Sequence, residues 1–199
     1  MSSPGTTSTP VRAWLLTGPP GIGKSTLVSK VVYLLRSRGV GVGGCLTKER
    51  RSGRERVGFM ILDLMSGREA ELASSSTSLG PKVGRYRVNL RGLAEVGATA
   101  LRDAAKSADV IIIDEVGPME LTGPEFKKGV EACIASGKPL LAVVHEMMKD
   151  PIIEQFRSMA DKTIIEVTLH NREGLTASLV EQIFSALPDE AKQSLPSGE

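Results

Sequence analysis

Residues Gly18–Thr26 read GPPGIGKST and fit the pattern G-x-x-x-x-G-K-[ST], with Gly18, Gly23, Lys24 and Ser25 at the defining positions. The flanks support it. The apolar run Ala13–Thr17 (AWLLT) leads in, and a segment with Leu27, Val31, Val32, Leu34 and Leu35 at helical spacing leads out. A strand–glycine loop–helix unit of this kind wraps a phosphate. Glycines let successive N–H groups turn inward where a Cβ would block them, and the helix N-terminus favours an anion. Lys24 is placed for the β- and γ-phosphates and the Ser25 hydroxyl for Mg²⁺, with Thr26 reaching the α-phosphate. Gly18, Pro19, Pro20, Gly21, Ile22, Gly23, Lys24, Ser25 and Thr26 are therefore expected to contact nucleotide.

Downstream, Val110–Leu121 reads VIIIDEVGPMEL. Four apolar residues ending in an acid describe a buried strand that delivers a carboxylate to the edge where open α/β sheets bind ligands. Asp114 is expected to hold Mg²⁺ with Ser25, and Glu115 to orient the attacking water. Glu120 has two readings, a further member of this acidic group or a cap for the helix that begins near Pro124.

The same alternation extends along the chain. Leu140–Val144 and Thr163–Val167 read as buried strands. Lys24–Arg38, Asn89–Ser107, Pro124–Ser136, Pro151–Met159 and Arg172–Leu187 carry helical spacing. Strands alternating with helices, with the phosphate loop after the first strand, predict an α/β, three-layer P-loop fold with a mostly parallel central sheet. One segment breaks the rhythm: Gly41–Thr47 and Val57–Met65 flank the polar loop Lys48–Arg56 (KERRSGRER), and Arg68–Ala73 follows. It reads as an inserted β-hairpin, about residues 41–73, within a single domain spanning 11–187. Residues 1–10 and 188–199 read as flexible tails. Ser74–Val88 is long for a bare connection and is expected to be mobile or folded over a site.

The 199 residues carry 25 Lys+Arg against 23 Asp+Glu, a net charge of +2, and 4% aromatic residues. Nothing here resembles the basic excess or stacking platform of a nucleic-acid binder, so nucleic acid is not an expected partner. Cys45 and Cys133 form no metal-ligand cluster, and no apolar run approaches the ~18 residues of a membrane helix. With no targeting signal visible, the expectation is a cytoplasmic protein without membrane association. The pattern names no protein partner.

Phosphoryl transfer also needs positive charge beyond Lys24 and the metal. Candidates are Arg50, Arg51, Arg54 and Arg56 in the charged loop, whose other reading is a solvated turn, then Arg85 in the long connection, and Arg172. Asn171 and Arg172 follow the last strand, near where a base or ribose would lie. Asn171 reads equally as a helix cap. His145 ends a strand on the same edge, as a γ-phosphate sensor or a structural histidine.

With both motifs in place, the chain resembles the THEP1 family of nucleoside triphosphatases. The likeness rests on DEVGPMEL at Asp114–Leu121, close to the family's DEIGPMEL, and on VGFMILDLMSG at Val57–Gly67. KVGRYRV at Lys82–Val88 with Asn89–Leu90, KPLLAVVH at Lys138–His145, and Asn171–Arg172 also match, so it covers roughly residues 13–187. The resemblance implies a RecA-like P-loop NTPase fold and Mg²⁺-dependent hydrolysis of ATP, GTP and other triphosphates (CTP and UTP among them) to NDP and phosphate, with broad base preference and slow turnover. One position departs. Glu146 follows His145 where the family often carries a basic residue, so a cationic role does not carry over there, and Lys149 is the nearest substitute. Two alternatives stay open: a P-loop nucleotide or small-molecule kinase, and a nucleotide-dependent switch or adaptor. No NKxD element is present, which argues against strict GTP specificity.

Overall fold

Alternate residues of the central strands face opposite layers, and both layers are apolar. The computed structural model describes residues 13–145, 148–159 and 162–193. β1 (Ala13–Thr17), β7 (Val110–Val116) and β8 (Leu140–Val144) are buried almost throughout. Trp14, Leu16, Val110, Ile112, Leu141 and Val143 pack into one core against α1 (Lys24–Ser37) and α6 (Arg172–Ala186). Ala13, Leu15, Ile111, Ile113, Leu140 and Ala142 pack into the other. That second core meets the helical run of α2 (Leu90–Gly92), a π-helical stretch (Leu93–Ala98) and α3 (Thr99–Ser107), then α4 (Pro124–Ala135) and α5 (Pro151–Ser158). The period-2 split explains why these strands read as continuous apolar runs. Covered on both faces, they take polar side chains only toward their C-terminal ends, where Thr17 and Asp114 lie.

The remaining strands are β2 (Val42–Ser52), β3 (Glu55–Asp63), β4 (Glu69–Ser74), β5 (Lys82–Val83), β6 (Tyr86–Val88) and β9 (Lys162–Glu166). Among the described residues the sheet runs β5-β6-β4-β3-β2-β7-β8-β1-β9. It is open and mixed. From β2 to β9 every pairing is parallel, and from β2 outward to β5 every pairing is antiparallel. The parallel half brings β1, β7 and β8 to one edge with their C-terminal ends together.

The insertion is more ordered than its sequence suggests. Lys48–Arg56, expected as a polar loop, is mostly ladder, with Lys48 opposite Met60, Glu49 opposite Phe59 and Arg51 opposite Arg56. Only Gly53 and Arg54 remain between β2 and β3, with Gly53 at φ 58°. The hydrophobic alternation vanishes because this end of the ribbon extends past the cores, and charge pairs replace burial. Glu49 binds Arg51 at 2.6 Å and Arg56 at 2.7 Å, and Lys48 binds Glu69 at 2.7 Å. Likewise Ser74–Val88 holds the small hairpin β5–β6, turning at Gly84 and Arg85. Asp189–Gln193, taken with the C-terminal tail above, forms a short helix α7 whose Lys192 Nζ donates to the Ser185 carbonyl at 3.0 Å.

Candidate active site

The loop between β1 and α1 is held open by its glycines. Gly18, Gly21 and Gly23 take φ of 128°, 78° and 107°, and a Cβ on Gly18 would stand 2.8 Å from the Val167 carbonyl oxygen. Gly23 caps α1 without a side-chain hydrogen bond, and no acid occupies the first turn. The positive end of that helix is therefore left for an exogenous anion. Lys24 Nζ donates to the carbonyls of Gly18 at 2.7 Å and Pro19 at 3.1 Å, so the ammonium lies along the loop a phosphate would enter.

Asp114 reaches the same place from β7. Its register partner on β2 is Leu46, and its Oδ1 accepts from Ser25 Oγ at 3.2 Å. The carboxylate is 1% exposed, and Oδ2 has no hydrogen-bond partner among the described residues. Burial pushes its pKa up to about 7, Ser25 opposes that, and Glu115 raises it further. A buried carboxylate with an orphaned oxygen beside a serine hydroxyl is a hard oxygen donor set that suits Mg²⁺. Glu115 follows across a cis peptide bond and is half-buried on the cavity wall.

Glu120 is resolved between its two readings. The N-cap of α4 is Gly123, with no side-chain cap, so Glu120 does not cap it. Its carboxyl lines the cavity at 4% exposure, in a 3₁₀ turn (Glu120–Thr122). Burial pushes it up to about 8, with Glu115 and then Asp114 adding repulsion while the Glu120 and Gly117 backbone amides oppose.

One cavity of about 840 Å³ joins these groups, with the phosphate loop on one side and Asp114, Glu115 and Glu120 on another. The far wall comes from the inserted ribbon: Thr47, Lys48, Glu49, Arg56 and Phe59. Pairing between distant strands puts them there, and only the Arg-rich composition of the segment hinted at it. His145 also lines this cavity, whereas Glu146 lies outside the described residues.

Four expected contacts sit off the cavity wall, and one of them, Ile22 of the loop, packs against the core beside α1. Arg85 is not on the cavity wall; it pairs with Glu55 at 3.1 Å and donates to Tyr86 Oη at 3.1 Å and to the Arg56 carbonyl. Asn171 staples its own loop, accepting from the Thr168 N–H and donating to the Glu166 carbonyl, each at 2.8 Å, and its side chain does not cap α6. Arg172 touches the phosphate loop from outside, Nη1 donating to the Ile22 carbonyl at 3.3 Å. With Gly23, Thr26, Lys30 and Thr176 it lines an open hollow of about 290 Å³ beside the start of α1.

Residues 13–183 match the family described as NTPase, a span containing every group above. The chain belongs to this NTPase family. A member from Thermofilum pendens, the nucleoside-triphosphatase THEP1, is 44% identical over 86% of this chain and 95% of its own. The nucleoside-triphosphatase THEP1 of Thermotoga maritima is 38% identical over 87% and 94%. Solved structures of the family superpose well. THEP1 from Aquifex aeolicus gives a TM-score of 0.75 at 30% identity, covering 86% of this chain and 98% of that one. The human cancer-related nucleoside triphosphatase gives 0.76 at 32% identity, covering 89% and 100%. The P-loop fold, with its open sheet between helical layers, is thus the fold of the family.

Proposed function

We propose that this chain hydrolyses nucleoside 5′-triphosphates to NDP and phosphate with Mg²⁺, accepting ATP, GTP, CTP and UTP. The observation that carries the reading is the 3.2 Å contact of Ser25 Oγ with a half-partnered Asp114, made where the phosphate loop and Glu115 share one cavity.

The loop N–H groups and the end of α1 bind the triphosphate, and Lys24 exchanges its loop carbonyls for β- and γ-phosphate oxygens. Ser25 and Asp114 would hold Mg²⁺, which supplies charge neutralisation at the phosphates. Glu115 orients a water in line with the γ-phosphorus and takes its proton. The new P–O bond forms from that water as the β,γ-bridging bond breaks, and the bridging oxygen leaves on NDP. The base projects past Thr26 toward the hollow by Arg172. No aromatic side chain lines that hollow among the described residues, which favours loose base selection. Cys45 and Cys133 are buried free thiols, in keeping with a reducing, cytoplasmic setting.

A second reading, phosphoryl transfer to another acceptor, draws on the same cavity, which continues past Glu115 to Thr47 and Phe59. Purified protein with Mg²⁺ and each triphosphate in turn separates the two. Phosphate released without any acceptor is the expected result. Release that appears only on adding a second nucleotide or metabolite would replace hydrolysis with transfer.

A further inference from the structure

The transition state of phosphoryl transfer spreads charge over the γ-phosphate oxygens, and a preorganised guanidinium there lowers the barrier. Ion pairing does not single out one arginine of this region, since Arg56 is itself paired with Glu49. Arg50 pairs with Glu71 at 2.8 Å, Arg51 with Glu49, and Arg85 with Glu55. Among the described residues, Arg56 is the arginine whose side chain lines the main cavity.

Its setting is built. Nη1 donates to Glu49 Oε1 at 2.7 Å and Nε to Tyr86 Oη at 3.0 Å, while the guanidinium carbon lies 5.1 Å from the Phe59 ring centroid. Phe59 and Tyr86 meet edge to face at 5.1 Å, and Arg85 bonds both the Tyr86 hydroxyl and the Arg56 carbonyl. Nη2 carries no hydrogen bond to the described residues. An arginine oriented by an aromatic pair and a phenol, with donors to spare and a cavity in front of it, is poised for an anion with planar oxygens. Lys48 also lines the cavity, paired with Glu69 on β4, but its ammonium lacks the planar donor fork of a guanidinium. The register places Leu46 beside Asp114, so Glu49 is roughly 10 Å further along β2 at the usual rise of a strand. Arg56 and the phosphate loop line this one cavity.

We propose that Arg56 contacts the γ-phosphate in the transition state, supplied within the chain by the inserted ribbon, with Glu49 and Tyr86 as its positioning residues. This rests on the hydrolase reading. Arg56 stays protonated throughout, donating N–H groups to the γ-phosphate oxygens as the bridging bond breaks, and passes no proton.

The test compares wild type, Arg56→Ala, Arg56→Lys and Tyr86→Phe for phosphate release from Mg·ATP and for ADP capture with aluminium fluoride, a transition-state mimic. Arg56→Ala should lower kcat about a thousandfold with KM within about threefold, and should lose capture. Arg56→Lys should regain part of both, and Tyr86→Phe should lose kcat less severely at unchanged KM. Wild-type kcat and intact capture in Arg56→Ala would overturn the assignment while leaving hydrolysis standing. A wild-type protein that releases no phosphate would overturn both. If Arg56→Ala fails to fold, Arg56→Lys decides: reduced kcat with retained ATP binding supports the role, and wild-type kcat overturns it.

Discussion

Lys24 and Glu115 sit within one cavity but act on different states of the reaction, and their variants should separate accordingly. Lys24 Nζ is parked on the Gly18 and Pro19 carbonyls, charge-assisted contacts that a triphosphate would replace with stronger ones. Lys24→Ala removes that charge from ground and transition states alike. ATP affinity measured by titration calorimetry should weaken roughly 10- to 100-fold, following the ~1.5–3 kcal/mol of a hydrogen bond to a charged group. Glu115→Gln keeps the size and loses the basicity. Nucleotide binding should stay within about threefold while phosphate release falls on the order of 10²- to 10⁴-fold. Unchanged turnover in Glu115→Gln would remove Glu115 from the role of base.

At the scale of elements, the β1–loop–α1 unit depends on a backbone that only glycine takes easily. Gly18 combines φ of 128° with a Cβ position 2.8 Å from the Val167 carbonyl oxygen, so Gly18→Ala meets both strain and a clash with backbone. Loss of about 1–3 kcal/mol of stability is expected, read as a lowered midpoint in urea unfolding. Gly53 at the ribbon turn also has a positive φ but nothing within 4 Å of its Cβ position. Gly53→Ala should cost less than Gly18→Ala. The difference combines the stricter φ of Gly18 with the close approach of the segment after β9. Their φ values and the strand-end segment at Val167 that passes Gly18 distinguish the two glycines.

Across the whole molecule, the acidic end of the cavity couples stability to pH. Native Glu120 keeps its proton up to about pH 8, whereas the ordinary value for an exposed glutamate is 4.5. Between those values the native state binds the extra proton, so raising the pH favours unfolding. Its stabilising contribution is present in full below about 4.5 and is lost progressively as pH climbs toward 8. Asp114 acts in the same direction, up to about 7. Glu120→Gln removes one of the two groups. In nucleotide-free protein without divalent cation, its urea midpoint should fall less from pH 5 to pH 8 than that of wild type. Identical pH profiles would mean that Glu120 is ionised in the native state.

Much of this architecture was readable in the chain because its determinants are local. A phosphate loop is made by nine consecutive residues whose glycines and lysine act through adjacent backbone. Buried parallel strands announce themselves as short apolar runs, so β1 and β8 were legible to the residue and the Asp114–Glu115 pair could be placed at a strand end. The ribbon was not legible in the same way. Its charged stretch follows no burial pattern because it projects past both cores. Whether an arginine in it faces solvent, a neighbouring carboxylate or the nucleotide depends on the cross-strand register of β2, β3 and the β5–β6 hairpin. Arg85 carried the family-like motif yet lies off the cavity wall, while Arg56, one of four in a polar run, lines it. The sequence by itself determined the phosphate loop, the acidic strand end and the layered fold, since each is specified by neighbours along the chain. Only the tertiary structure decided which arginine, and which glutamate beyond the motif, share the cavity, because those positions are set by pairings between residues far apart in sequence.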